Sequence, residues 1–271
     1  MKFFKHLLIL FSITLFSSCA ESVFSSGKRN VRVAQNIRIL CYNIHHGNPP
    51  SKPGVIDIAA IAEVIRAQKP DLVALQEVDV NTIRSGGIDQ ASQLAEKLQM
   101  NFFFAKAIDH DGGQYGVAIL SKYPISAEKI HHLTTQPGTY GEHRVLATVI
   151  VDLQKGKKIR FGATHLDAQK DDTNRLLQVR DINIISQKEP LPFIIAGDFN
   201  AVSGSAPINM LDEQFTRTCD NCEFTIPVVN PNKAIDFIGF KKSNNFEVIS
   251  HQVIPEHYAS DHLPILSVLK Y

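Results

Sequence analysis

The chain of 271 residues has no tryptophan, three methionines and four cysteines. Four cysteines are too few for a disulfide-built scaffold, and a chain this long buries enough surface to fold without one. Neither charge sign dominates: 28 Lys and Arg stand against 27 Asp and Glu, a formal net of +1. No block of like charge occurs, which argues against a dedicated non-specific coat for nucleic acid. Low-complexity linkers are missing from residues 31–271, so that stretch reads as one domain. The motifs H-E-x-x-H, G-x-x-x-x-G-K-[ST], G-x-S-x-G and G-x-G-x-x-G are also missing, and with them the chemistries they carry. What is present is ordinary globular composition, 44% hydrophobic and 20% charged, which rules out intrinsic disorder.

The first 19 residues read as a targeting segment. Lys2 and Lys5 precede an apolar run from Leu7 to Phe16, then Ser17, Ser18 and Cys19. That order fits a secretory signal, and the run is short for a bilayer span. Small residues directly before a cysteine resemble a bacterial lipoprotein signal, although Phe16 stands where Leu is usual. Cys19 is therefore the expected lipidation site, with a plain cleaved signal or an N-terminal anchor as the other readings. Residues 20–30 are the expected polar tether, and the protein is expected to be exported to the cell envelope and held on a bacterial membrane. Removing residues 1–18 leaves 26 basic and 27 acidic residues, a net of −1. Cys41 lies in an apolar strand and reads as a small buried hydrophobe. Cys219 and Cys222 have C-x-x-C spacing without a second pair to complete a zinc site, so an exported chain would make them a local disulfide.

Alternation predicts strands near 37–44, 72–76, 101–106, 115–120, 144–152, 158–164, 192–197, 235–240, 246–253 and 264–269. Helical spacing groups Ile58, Ile61, Ala62 and Ile65, then Ala91, Leu94, Ala95 and Leu98. A third helix runs from about Asp172 to Gln187 and carries Leu176, Leu177, Ile184 and Ile185. Two β–α–β units echo each other, with Asn43 and Glu77 at the strand ends of one and His165 and Asp198 at those of the other. Ligands gather beyond the carboxyl ends of such strands. The stretch Asp109–Gly113 reads as a flexible loop.

The chemical signal is apolar strands that stop at polar residues. Asn43 follows ILCY, Glu77 follows DLVALQ, His165 follows FGAT, and Asp198 and Asn200 follow FIIAG. Asp236 sits inside AIDFIGF, where a carboxylate needs a partner or a metal. Asp261 and His262 precede LPILSVL. These donors are mostly oxygen, with imidazole as helper and no thiolate cluster, a set that suits Mg²⁺ or Mn²⁺ better than zinc.

The ordered series YNIHHG (42–47), LQEVD (75–79), YGVAILSKYPI (115–125), EHR (142–144), THLD (164–167), GDFN (197–200), AIDFIGF (234–240) and SDHLP (260–264) resembles the endonuclease/exonuclease/phosphatase superfamily. The resemblance implies the deoxyribonuclease I-like fold, an α/β four-layer sandwich of two packed mixed β-sheets flanked by helices. It implies a hydrolase that cleaves phosphoester bonds with a divalent metal, usually Mg²⁺. Carried over by position, Asn43, Glu77 and Asp261 are expected metal ligands. His165, Asp198, Asn200, Asp236 and His262 are the expected catalytic residues, with Asp236 and His262 as a buried pair. Arg144, His165 and Asn200 are the residues expected to face the substrate phosphate. Either Asp198 or His262 could take the proton of the attacking water. The fold does not choose the substrate. A nuclease remains the alternative, disfavoured by the neutral charge, and a catalytically silent surface binding module is the reading of another class. No protein partner is inferred.

Overall fold

A computed structural model describes Met1 and residues 36–271. The expected signal after Met1, Cys19 and the whole of the expected tether lie outside the described residues. β1 (Asn36–Asn43) sets the pattern of layers. Its Ile37, Ile39 and Cys41 enter one apolar cluster, while Leu40 and Tyr42 enter another on the opposite face. This is the period of two expected of a strand buried on both faces. β2 (Leu72–Val80) repeats it, with Leu72 and Ala74 on the first side and Val73 and Leu75 on the second.

The chain continues through β3 (Asn101–His110), β4 (Gly113–Ser121), β5 (Ile125–His132), β6 (Val145–Asp152), β7 (Lys158–His165), β8 (Phe193–Asp198), β9 (Phe215–Arg217), β10 (Asp236–Lys241), β11 (Glu247–Val253) and β12 (Ile265–Lys270). Two six-stranded sheets result, ordered β11-β12-β1-β2-β4-β3 and β5-β6-β7-β8-β10-β9. β1 and β2 are parallel, as are β7 and β8, and the remaining pairs are antiparallel. The first cluster joins Ile39 and Ile119 of one sheet to Phe161 and Ile194 of the other, so it is the core between the sheets. Each fully buried side chain of this size contributes about 1.5–3 kcal/mol over an exposed one.

Helices α1 (Ile58–Gln68) and α2 (Gln90–Leu98) cover the first sheet, and α3 (Thr173–Lys188) and α4 (Ala206–Leu211) the second. Asp57 and Asp89 cap α1 and α2 by accepting from the backbone N–H groups of Ala60 and Ser92. The result is the four-layer α/β sandwich that the motif series implied. The ten expected strands and three expected helices are all present. β5, β9 and α4 were not legible beforehand: β5 is a largely exposed edge strand, and β9 has three residues.

Three local readings need correction. Asp109–Gly113 is no flexible loop, since β3 and β4 pair through to His110 and Gly113. Asp111 (φ +46°) and Gly112 (φ +78°) form the two-residue turn between them, the left-handed pair that an Asp-Gly hairpin favours. Glu77 does not end β2, which runs on to Val80. The buried face of α3 is Asn174, Arg175, Gln178, Val179, Ile182, Asn183 and Ser186, while Ile184 is exposed.

Cys219 and Cys222 are joined by a disulfide, and Cys41 is buried and free. Among the described residues no helix is long and apolar enough to cross a membrane.

Candidate active site

The two parallel pairs place their polar ends together. In β1–β2, Asn43 is registered with Gln76, and in β7–β8, His165 is registered with Asp198. Each pair is 33 positions apart in the chain. The first unit then has one extra residue, because β2 is bulged between Leu75 and Val78 opposite β4. Glu77 lies in that bulge at φ +57°. A left-handed backbone costs a non-glycine residue about 1 kcal/mol or more, and bulges of this kind re-aim a side chain. Here the re-aimed side chain is a carboxylate that keeps 22% of its surface exposed in a cleft.

Asn43 ties the sheets together. Its amide nitrogen donates to Glu77 Oε1 at 3.0 Å and to Asp198 Oδ2 at 3.1 Å. Its own oxygen accepts from the His45 backbone N–H, and Ser260 Oγ donates to its carbonyl at 2.7 Å. Burial alone would raise the Glu77 carboxyl. The His46 imidazole, with Nδ1 3.9 Å from Oε2, the Asn43 amide and the positive charge at His262 outweigh burial and hold it well below the usual carboxylate range.

Asp198 and Asp236 face one another in the β8–β10 register. His262 spans them, with Nδ1 3.0 Å from Asp236 Oδ2 and Nε2 3.8 Å from Asp198 Oδ2. All three are buried, and one ligand atom from each lies within 4.8 Å of the others. Burial and the neighbouring Asp236 push the Asp198 carboxyl well above its ordinary value. Burial would lower His262, but the charge and hydrogen bond of Asp236, with Asp198 and Asp261 behind them, raise it to about 10.

Asn200, at φ +48°, follows on a turn fixed by its backbone N–H donating to Asp198 Oδ1 at 2.8 Å. Its amide nitrogen donates to the Leu166 carbonyl and to His165 Nε2, both at 3.0 Å. His165 is thus an acceptor at Nε2, and burial with the nearby Arg144 charge holds it neutral, well below its ordinary value. Arg144 is 4% exposed and pairs with Glu142 at 2.8 Å. Its Nε is buried with no hydrogen-bond partner among the described residues. Asp261 lies across the same cleft that Glu77 enters. All nine expected site residues outside the signal therefore gather at one end of the sandwich.

The matching family model carries the description Endonuclease/Exonuclease/phosphatase family and spans residues 40–262. The chain belongs to this family. Endonuclease/exonuclease/phosphatase proteins hydrolyse phosphoester bonds and generally depend on a divalent metal. A similar chain is the uncharacterized protein YbhP of Escherichia coli K12, 26% identical over 244 residues, covering 85% of this chain and 94% of YbhP. An endonuclease/exonuclease/phosphatase family protein of Bacteroides thetaiotaomicron superposes with a TM-score of 0.73 at 16% identity, covering 88% of this chain and 98% of that one. The mannosyl-6-phosphatase Bt3783 of the same species gives 0.70 at 17%, covering 87% and 100%. At these identities the two structures speak for the fold.

Three parts of this family site escaped the sequence reading. Thr225 is fully buried and donates to Asp236 Oδ2 at 2.6 Å, beside the His262 contact. Arg84 is clamped by buried Asp79 through Nε (2.7 Å) and Nη2 (2.9 Å). His46 reaches Glu77 from a left-handed turn after β1. Asp79 and His46 were visible inside LQEVD and YNIHHG, but no partner for them is adjacent in the chain. Thr225 had no signal at all.

Proposed function

We propose that this chain is a divalent-metal-dependent phosphoester hydrolase using Mg²⁺ or Mn²⁺. The observation that carries the reading is one constellation built from both sheets: hydrogen bonds join Glu77 to Asn43 and Asn43 to Asp198, His262 lies 3.8 Å from Asp198, and His262 is hydrogen-bonded to Asp236. The donor set fits a hard cation. Glu77 and Asp261 offer carboxylate oxygens to a common cleft, Asn43 abuts Glu77, and no thiolate is near. These three residues would hold the ion. When bound, a divalent ion supplies charge neutralisation at a phosphate oxygen and at the departing alkoxide.

The remaining residues divide the proton work. Asp198 is the general base: its raised carboxyl affinity suits it to accept a proton from water at neutral pH. The water oxygen bonds to phosphorus, the bond to the alcohol oxygen breaks, and the alcohol leaves with a proton from solvent. His262 stays an imidazolium, oriented through Nδ1 by Asp236, and offers Nε2–H to a phosphate oxygen. Arg144 offers its unpartnered Nε, and the Asn200 amide is held to His165 by a hydrogen bond. Asn200 must release His165 before its amide can reach phosphate. We further propose that the enzyme works in the cell envelope, anchored through lipidated Cys19.

The test is hydrolysis of bis(4-nitrophenyl) phosphate and 4-nitrophenyl phosphate by residues 31–271 with Mg²⁺ or Mn²⁺. Metal-stimulated release of nitrophenol from either supports the reading. Inactivity on both and on nucleic acid, phospholipid and sugar phosphate would sink it in favour of a binding module.

A further inference from the structure

The two charge signs balance along the chain, but the fold sorts them by end. The site occupies the end of the sandwich where β1, β2, β7 and β8 finish. At the opposite end lie the loops that enter these strands and the last residues of β10 and β12. Exposed there are Lys69 before β2, Lys97 in the last turn of α2, Lys158 at the start of β7, Lys188 closing α3 and Lys242 after β10. None of them makes an ion pair among the described residues.

Contacts join these loops into one surface. Lys122, just after β4, has Nζ 3.6 Å from Asp71 Oδ1 and so lies beside the Lys69 loop. Lys241 Nζ donates to the Glu189 carbonyl at 3.0 Å, which sets Lys242 near Lys188. Lys157 Nζ donates to the Tyr271 carbonyl oxygen at 2.9 Å, and the Tyr271 ring is 4.9 Å from that of Phe246. Most acids at this end are already neutralised. Asp71 is paired with Lys122, Glu189 with Arg160 at 2.8 Å and Glu247 with Lys270 at 2.6 Å. Glu96, Asp152 and Glu213 are exposed there without such a partner. The site end is the reverse. Asp111, Asp171, Asp220 and Glu223 are exposed there beside the carboxylates of the site, opposed by exposed Lys52, Lys170 and Lys233.

The chain also enters at the basic end, because Asn36 begins β1 there and is registered with Lys270. Between Ser22 and Ile56 the sequence holds no acid, and Lys28, Arg29 and Arg32 stand just ahead of β1. From Asn36 to Asn43 is seven steps of about 3.3 Å, which puts the site about 23 Å from this end. A charged surface acts on groups within a Debye length, about 8 Å at physiological ionic strength, so an anionic surface attracts these lysines without repelling the acids of the site.

We propose that this basic end is a docking surface for an anionic bilayer, and that docking turns the active site away from the membrane toward the aqueous phase. A lipid on Cys19 would join the sandwich from this same end, which favours a bilayer over a soluble polyanion.

The experiment uses residues 20–271, which keep the whole described sandwich and the basic segment but lack Cys19, so its outcome is independent of lipidation and of hydrolysis. The protein should sediment with phosphatidylcholine vesicles that contain phosphatidylglycerol and much less with phosphatidylcholine alone, and binding should fall as salt rises. Lys69→Gln, Lys158→Gln, Lys188→Gln and Lys242→Gln should each lower the partition coefficient about fivefold, as loss of one lysine near a charged bilayer does. All four side chains are exposed, so the melting temperature should hold. Lys170→Gln and Lys233→Gln, at the site end, should leave vesicle binding unchanged. A fluorophore on Lys242→Cys should be quenched by a quencher carried on lipid headgroups, and one on Lys170→Cys should not. The label finds the new thiol because Cys41 is buried and Cys219 is joined to Cys222. Absent binding, equal binding to the two vesicles, equal losses from the two ends, or quenching at residue 170 overturns the proposal. So does tighter binding to duplex DNA that is lost with the same lysines, which would give this surface to nucleic acid.

Discussion

Asp198 and Asp236 stand directly opposite each other in the antiparallel pairing of β8 and β10. Like charges in that position destabilise a sheet. The fold accepts them because His262 lies between, and because Asp236 also takes a proton donor from Thr225 at 2.6 Å. The pair is thus an electrostatic strain held in place by its neighbours. Four predictions follow the consequences of this arrangement and of others in the chain.

The first concerns the metal. Glu77→Gln should cut phosphoester hydrolysis by a factor on the order of 10² or more. The melting temperature should stay nearly constant, because the side chain is partly exposed and fills no core volume. Excess EDTA should do the same to the unaltered enzyme, and added Mg²⁺ or Mn²⁺ should reverse it. Full activity in chelator would remove the metal from the mechanism.

A second prediction tests the coupled unit. His262→Ala and Asp236→Asn should each lower kcat by roughly 10²–10⁴, and the double variant should be little worse than either alone. Thr225→Val should cost about tenfold in kcat and shift the pH profile, because Asp236 loses the donor that fixes it. Thr225→Ser should restore both. Multiplicative losses in the double variant would mean that the two residues act separately.

His131 supplies a stability prediction away from the site. Burial, together with Lys129 and Arg160, lowers its affinity for protons to a value of about 4, against a smaller opposing pull from Glu189. Its ordinary value is 6.5, so as pH falls from about 6.5 toward 4 the unfolded chain gains a proton that the folded chain refuses. Stability should fall across that window, by about 1–2 kcal/mol after allowance for solvent screening, and level off below it. Urea unfolding at intervals between pH 4 and 7 measures the slope, and His131→Gln should flatten it. An identical slope in the variant would assign the effect to other groups.

The anchor yields the fourth. We expect the full chain, made in a lipoprotein-processing bacterium, to sediment with membranes. Cys19→Ser should leave it without lipid, since the acceptor thiol is gone, and without acyl chains it should no longer sediment with membranes. Mass spectrometry that finds an unmodified Cys19 in the mature chain would end this part of the proposal.

Strand and helix periodicity was written into the chain wherever apolar residues do the packing. β1 and β2 were legible because their alternate residues go to two different cores, and α1 because Ile58, Ile61, Ala62 and Ile65 form one stripe. The same signal misread α3, whose Asn174, Gln178 and Asn183 are buried against backbone groups of other segments. Gln178 accepts from Asp167 N, Asn174 from Gln136 N, and Asn183 donates to the Met210 carbonyl. A polar face satisfied by distant peptide groups has no periodic hydrophobic signature.

The sequence alone determined which residues were candidates for chemistry, because carboxylates, amides and imidazoles at the ends of apolar strands are costly unless used. It also placed Asn43, Glu77, His165 and Asp198 on two similar β–α–β units. Only the tertiary structure decided that Asn43 of one unit donates to Asp198 of the other, 155 positions away. Only it decided that one extra residue in β2 turns Glu77 out of the strand pattern, and that Thr225 and Arg84 stand behind the site. The Asn43–Asp198 contact joins residues far apart in the chain, while Asp79–Arg84 and Thr225–Asp236 join nearer ones, and all of them depend on strand register and side-chain direction, which appear only when the two sheets pack.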